Sequence, residues 1–87
     1  MRYIKLRSFS ERFKNLDPTN QKQARKAFQL FSDDPSHPSL RVKKIPNKDV
    51  WYGHVTRAKL FTFEKEDDCY RFRNIGLHSI LDEERRR

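Results

Sequence analysis

The chain has 87 residues, enough for a single domain over residues 1–87 and too few for two separate hydrophobic cores. Its 20 Lys and Arg outnumber its 12 Asp and Glu, and the net charge of +8 favours an anionic partner, nucleic acid before acidic protein or membrane. No apolar segment is long enough to span a membrane and Cys69 is alone, so we expect a cytoplasmic protein without membrane contact, disulfide, metal or cofactor.

A strand followed by two helices is predicted for the first part of the chain. The segment "RYIKLR" alternates apolar and basic residues, as a strand does. Ser8 and Glu11 have the spacing of a capping box, which predicts the start of a short helix. Asp17 and Pro18 suit the N-cap and first position of a longer helix over residues 19–32. Its apolar stripe falls at helical spacing: Ala24, Ala27, Phe28 and Phe31.

The second part of the chain reads as strands. After the loop "SDDPSHPS", the segments "LRVKKI", "VWYGHV", "KLFTFEK" and "CYRFRNI" alternate with a period of two, and "EKEDD" joins the last pair. Consecutive strands at this spacing favour an antiparallel meander. We therefore expect an α+β fold, β-α-α-β-β-β, with two N-terminal helices on one face of a small antiparallel-rich sheet. The ending "DEERRR" is predicted to be a frayed tail.

A basic sheet face is expected opposite the helices. Phe61 and Phe63 share one face of their strand, so Leu60, Thr62 and Glu64 lie on the other. Side chains from three further strands and a hairpin converge on that second face: Lys43, His54, Arg57, Arg71 and Arg73. Like charges on neighbouring strands repel unless an anion lies between them, and a phosphate backbone is such an anion. The alternative is that each is an ordinary residue facing solvent.

Three segments resemble the RelE/ParE superfamily of bacterial toxins, particularly its RelE- and HigB-like branch. They are "FSDDPSHPSLRVKKI", "VWYGHVTR" and "RFRNIGLHSIL", and the likeness runs from about residue 9 to residue 81. The resemblance implies the toxin of a type II toxin–antitoxin system. Such a toxin is a cytoplasmic endoribonuclease that cuts mRNA, usually on the ribosome, inhibits translation and is neutralised by a cognate antitoxin. ParE-like members inhibit DNA gyrase instead.

Two positions depart from the pattern of this family. Related sequences commonly have "AYR" where this chain has "AKL", so that Leu60 replaces an arginine thought to stabilise the scissile phosphate, and Ser79 replaces an aspartate after the last histidine. The departures imply a weakened ribonuclease in which Leu60→Arg would restore cleavage. The alternative is a non-catalytic or ParE-like binding module acting on an antitoxin, RNA or DNA gyrase.

The expected chemistry requires no metal. Cleavage through the ribose 2′-OH needs a proton acceptor, a proton donor and positive charge at the phosphorus, which imidazole and guanidinium provide. His54 and His78 are the candidate base and acid, with Arg57 and Arg73 completing the predicted catalytic set. His54 is alternatively a polar strand residue and His78 a cap for exposed carbonyls. The predicted RNA-binding residues are Lys43, Lys44, Arg71 and Tyr52.

Overall fold

The structure, a computed structural model, describes residues 2–86. The strands are β1 (Arg2–Lys5), β2 (Lys43–Lys44), β3 (Trp51–His54), β4 (Lys59–Glu66) and β5 (Cys69–Leu77). The helices are α1 (Arg7–Lys14), α2 (Pro18–Asp33) and α3 (Ser79–Arg85), and a short 3-10 helix covers Pro38–Leu40. No helix among residues 2–86 combines the length and the apolar character needed to cross a membrane.

The five strands form one mixed sheet in the order β1-β5-β4-β3-β2. Strands β2 to β5 pair antiparallel with their neighbours in sequence, which confirms the predicted meander. Strand β1 joins the edge of the sheet parallel to β5 because the two helices carry the chain across before the meander begins. The α+β class is confirmed, and the elements follow the predicted order β-α-α-β-β-β with a fourth strand and α3 added at its end.

The main core lies between one face of the sheet and helices α1 and α2, as predicted. Helix α2 begins at Pro18, and the Asp17 side chain accepts a hydrogen bond of 2.8 Å from the backbone N–H of Asn20, so the predicted N-cap is confirmed. Of its apolar stripe, Phe28 is half-buried and the other three residues are buried. The core is largely aromatic: Phe9, Phe31, Phe61, Phe63, Tyr70 and Phe72, with Ala24, Ala27, Leu40 and Ile75.

The predicted capping box at the start of α1 is wrong. The helix begins at Arg7 with Leu6 as N-cap, and no side chain caps it. The Leu6 backbone N–H donates to the Phe72 carbonyl at 2.9 Å, so strand β1 passes into α1 without the turn that a Ser8 cap requires. The Ser8 hydroxyl instead donates to the Arg73 carbonyl at 2.6 Å and ties α1 to β5.

The predicted frayed tail is also wrong for residues 82–86, because α3 packs on the second face of the sheet; Arg87 lies outside the described residues. Ile80 and Leu81 are buried with Ile45 and Leu60 in a smaller aliphatic core. Gly76 permits the close approach of α3, since a Cβ at that position would lie 3.0 Å from Ile80 Cγ2. Glu83 and Glu84 of the tail do not prevent this packing because they pair with Arg12 of α1 and Arg73 of β5. The face expected to be open is therefore partly covered.

Candidate functional site

Two histidines meet at the end of the sheet where β3 and β5 end. The imidazole centroids of His54 and His78 are 6.3 Å apart. His54 Nδ1 lies 3.3 Å from the Leu40 carbonyl oxygen, and His78 Nε2 lies 3.2 Å from the Arg57 carbonyl oxygen. Because a carbonyl only accepts, each imidazole donates from that nitrogen, and in the neutral form its other nitrogen keeps a free lone pair.

A tight turn between β3 and β4 brings Arg57 beside the histidine pair. The backbone N–H groups of Val55 and Thr56 both donate to the Lys59 carbonyl, at 2.9 and 3.2 Å, and the Thr56 hydroxyl accepts from the Lys59 N–H at 3.2 Å. Gly53 in the preceding strand lets the Phe61 ring pack against its backbone, because a Cβ at position 53 would lie 2.6 Å from that ring. The turn thus has a fixed shape and holds the exposed Arg57 guanidinium at its tip.

A cationic cleft of about 280 Å³ opens beside His54. Its lining residues are Ser39, Arg41, His54, Val55, Thr56 and Arg57. Arg41 has a left-handed backbone with φ 47° and ψ 49°, directly after the 3-10 helix. Two guanidinium groups and an imidazole around one small cleft match the donors that bind a phosphate. A larger groove of about 630 Å³ adjoins it and leads along α2, with His54 and Thr56 lining both.

Arg73 has acidic partners beneath α3 and does not line this cleft. Phe63 pairs with Phe72 and Thr62 with Asn74, so Arg73 is the extra residue of a β-bulge in β5. Its Nε donates to Glu84 at 2.9 and 3.1 Å, and its Nη1 donates to Glu64 at 2.9 Å. Its charge is thus matched by two carboxylates of the same chain.

The Glu84 carboxylate is fully buried, with a side-chain exposure of 0%. It accepts hydrogen bonds from the Thr62 hydroxyl at 2.7 Å and from the Asn74 amide at 3.3 Å in addition to those from Arg73. Burial alone raises the pKa of the Glu84 carboxyl, but the hydrogen bonds from Arg73 and Thr62 outweigh it, and the net pKa is lowered. The same contact with Glu84 raises the pKa of Arg73. Glu84 is therefore ionised at neutral pH.

Comparison with known proteins rests on structure. No family model and no curated protein matches the sequence. The solved structures that cover nearly the whole chain include the following three. YafQ from E. coli BL21(DE3) is 16% identical over 93% of this chain and 98% of its own, with a TM-score of 0.75. The YoeB/ParE toxin from Agrobacterium tumefaciens is 9% identical over 90% and 99%, with a TM-score of 0.75. A chain of the RelB–RelE antitoxin–toxin complex from Methanococcus jannaschii is 14% identical over 93% and 96%, with a TM-score of 0.73.

The chain has the RelE/ParE toxin fold. Because the sequence identities are this low, the structural similarity supports a conclusion about the fold alone. Within the RelE/ParE fold of this protein, the structure brings together three residues of the predicted catalytic set, His54, Arg57 and His78. It separates the fourth, Arg73, beneath α3.

The predicted RNA-binding residues are dispersed over the RelE/ParE fold. The Tyr52 ring lies 6.0 Å from that of His54 and packs on the aliphatic core beneath α3. Lys43 pairs with Tyr52 in the sheet and shares its face, whereas Lys44 pairs with Trp51 on the opposite face. Lys44 contacts Asp49 at 3.5 Å. Arg71 contacts Glu66 at 3.4 Å, so these two basic residues both have acidic partners.

Sequence reasoning missed Arg41 and Glu84. The alternation in "LRVKKI" predicts Arg41 in a strand, but its left-handed backbone ends the 3-10 helix and places it beside the cleft. Glu84 falls in the predicted tail. The spacing of Ile80, Leu81 and Glu84 at i, i+1 and i+4 was the available signal for one buried helix face.

Proposed function

We propose that this protein is the toxin of a type II toxin–antitoxin system and a metal-independent endoribonuclease. Its substrate is mRNA, cut in association with the ribosome in the cytoplasm, and its cognate partner is an antitoxin. The observation that carries the proposal is the His54–His78 pair, 6.3 Å apart, beside a cleft that Arg41 and Arg57 line. The RelE/ParE fold and the RelB–RelE antitoxin–toxin complex among its structural neighbours support a protein partner.

The proposed reaction is an in-line transfer within the RNA strand. His54 takes the proton of the ribose 2′-OH, and that oxygen attacks phosphorus and forms a 2′,3′-cyclic phosphate. The bond from phosphorus to the 5′-oxygen breaks as His78, in its protonated form, donates a proton to the leaving oxygen. Arg57 and Arg41 stabilise the charge that develops on the phosphate oxygens. The free nitrogen left on each imidazole by its hydrogen bond to a carbonyl is the one that moves the proton.

A specific observation favours a second candidate function. Leu60, at the position where related sequences carry an arginine, is fully buried beneath α3, and Arg73 is paired with two carboxylates. Of the cations that the sequence analysis predicts on this face, Arg73 is therefore neutralised by carboxylates of its own chain, and position 60 supplies no cation. The second candidate is a non-catalytic binding module, with an antitoxin, RNA or DNA gyrase as its target.

Cleavage assays on histidine variants decide between the two candidates. We expect His54→Ala and His78→Ala each to lower the rate of RNA cleavage by about 10²- to 10⁴-fold, the usual contribution of a positioned acid or base. His37→Asn is the matched control because His37 lies in the loop before the 3-10 helix and an asparagine retains a cap acceptor. The readout is RNA 5′-end mapping with purified protein and ribosomes, together with growth after tightly controlled expression.

Two outcomes contradict the ribonuclease proposal. Cleavage by both histidine variants at the wild-type rate would remove the pair from the mechanism. Absence of cleavage by the wild-type protein, combined with tight binding to the product of an adjacent small acidic reading frame, would favour the binding module.

The salt dependence of RNA binding tests which arginines contact phosphate. Because Arg57 is exposed at the cleft and Arg73 is engaged by Glu84 and Glu64, we expect Arg57→Ala to reduce the slope of log affinity against log salt by about one. Arg73→Ala should leave the slope near the wild-type value. Fluorescence anisotropy over a salt series measures both. Equal slopes for wild type and Arg57→Ala would contradict the assignment of Arg57.

A further inference from the structure

Helix α3 starts at the proposed acid. His78 is its N-cap, and the His78 carbonyl accepts the N–H of Leu81 at 3.0 Å. The backbone of His78 is thereby fixed by the direction of the helix that follows it. Its imidazole has the Arg57 carbonyl as a hydrogen-bond partner and is itself exposed. The place of the His78 ring relative to His54 therefore depends on where α3 lies.

Helix α3 is too short to be stable alone. It has seven residues, and isolated helices shorter than about 12–15 residues are marginal in water. Contacts with the rest of the molecule must hold it in place. Ile80 and Leu81 supply apolar contacts in its first turn, and Glu83 forms a pair with Arg12 of α1 at 2.8 Å. That pair is about 40% exposed, so solvent weakens it.

The last turn of α3 is held by Glu84. Three side chains of β4 and β5 donate to its carboxylate: Arg73, Thr62 and Asn74. The side-chain amide oxygen of Asn74, Oδ1, is buried without a hydrogen-bond partner among residues 2–86, so the Asn74 amide directs its N–H to Glu84 while its oxygen remains unsatisfied. The β-bulge aims the Arg73 side chain at the same carboxylate.

We infer that Glu84 is a positioning residue for His78: its buried contacts with Arg73, Thr62 and Asn74 fix α3 on the sheet, and α3 fixes the imidazole of His78 against that of His54. The inference rests on the proposed function for its catalytic consequence. Apolar contacts at Ile80 and Leu81 hold one end of the helix, and Glu84 fixes the other, which sets the direction of the axis. A shift of about 1 Å at a reacting group can reduce a rate about a hundredfold.

The first arm of the test measures geometry without any activity. In the wild-type protein we expect nuclear Overhauser contacts between the imidazole protons of His54 and His78. In Glu84→Ala these contacts should be lost and the His78 ring signals should move, while the amide signals of β4 and the aromatic core remain dispersed. Glu84→Gln should show an intermediate effect because its amide oxygen still accepts from Thr62 and Arg73.

Matched variants separate positioning from a general loss of charge. Asp82→Ala removes a carboxylate from the same helix, but Asp82 is exposed and pairs with Arg85 within α3, so the histidine contacts should persist. Thr62→Val removes one donor to Glu84 with little change in volume, and it should weaken the contacts between the two imidazoles. If Glu84→Ala does not fold, Glu84→Gln and Thr62→Val carry the test. Unchanged histidine contacts in every folded variant of Glu84 and Thr62 would overturn the inference.

The second arm measures RNA cleavage. Glu84→Ala should lower kcat by about a hundredfold and leave KM for RNA nearly unchanged, because Arg41 and Arg57 line a cleft that Glu84 does not reach. Asp82→Ala should keep wild-type kcat and KM. If Glu84→Ala loses the imidazole contacts but keeps wild-type kcat, the positioning role is overturned for catalysis. If the wild-type protein does not cleave RNA, the proposed function fails, and the first arm still decides how His78 is held.

Discussion

The two faces of the sheet are covered in different ways. On one face, α1 and α2 bury an aromatic core whose rings pack on one another, as Phe31 does with Phe61, Phe63, Tyr70 and Phe72 at centroid distances of 5.0 to 5.8 Å. On the other face, the seven residues of α3 bury a few aliphatic side chains and one ionised carboxylate. The first face depends on apolar area, whereas the second depends in part on charge.

This difference indicates that stability and the proposed chemistry are divided between the faces. The aromatic core contains no residue of the proposed catalytic set. The α3 face holds both histidines at one end and the Glu84 network along its length. Conditions that change ionisation should therefore affect the α3 face before they affect the aromatic core.

The largest expected effect is on the aromatic face. Phe31→Ala removes a fully buried ring that contacts four others, and we expect a loss of roughly 3–5 kcal/mol in the free energy of unfolding. Urea denaturation followed by tryptophan fluorescence and far-UV circular dichroism measures it. The midpoints of both signals should shift together, since this core holds α1 and α2. A loss below about 1 kcal/mol would show that this face is not the main source of stability.

A smaller and more local effect is expected for Leu60→Arg. The sequence alone predicted that this variant would gain activity, but Leu60 is fully buried under α3, so the new guanidinium would lose its hydration. We expect α3 to detach, with a cost of about 3 kcal/mol, while the aromatic core persists. Amide hydrogen exchange at Leu81, whose N–H donates to the His78 carbonyl, should rise and that at Phe61 should not. Wild-type protection at Leu81 would contradict this expectation.

The smallest expected effect depends on pH. The lowered pKa of Glu84 means that its contribution to stability is present above the ordinary carboxyl pKa of about 4.5 and is lost as pH falls through the lower folded value. The free energy of unfolding of the wild-type protein should therefore exceed that of Glu84→Gln by about 2 kcal/mol at neutral pH. The two values should converge at acidic pH. Urea titrations from about pH 7 to about pH 3 test this. A difference that does not change with pH would argue against an ionised Glu84.

The sequence predicted the aromatic face well because its signals are local. The helical spacing of Ala24, Ala27, Phe28 and Phe31 and the alternation around Phe61 and Phe63 follow from backbone periodicity alone. The same alternation placed Leu60 on the correct face. The burial of Leu60 was not predicted, because it depends on the packing of α3. The charged residues of α3 predict an exposed segment unless their ion pairs with Arg12 and Arg73 are known.

The site was only partly predictable for a related reason. Alternation correctly placed His54 opposite the aromatic face, but its distance from His78 depends on strand pairing and on the course of α3. The bulge at Arg73 has no local sequence signal, so two cations that looked equivalent, Arg57 and Arg73, have different surroundings. Local periodicity determines the face of a side chain but not its ionic partners.

The bulge at Arg73 also bears on how this strand can vary in length. Removal of Arg73 would let Phe72 and Asn74 pair in regular succession with Phe63 and Thr62, and each would keep its present side of the sheet. Removal of Arg71, which lies in the regular part of the strand, would instead move every side chain on one side of the deletion to the opposite face of the sheet. A chain one residue shorter at position 73 would thus keep the side chains of both hydrophobic cores on their present faces and lose the guanidinium that binds Glu84. The length of this strand can therefore distinguish related sequences that anchor their last helix through an ion pair from those that do not.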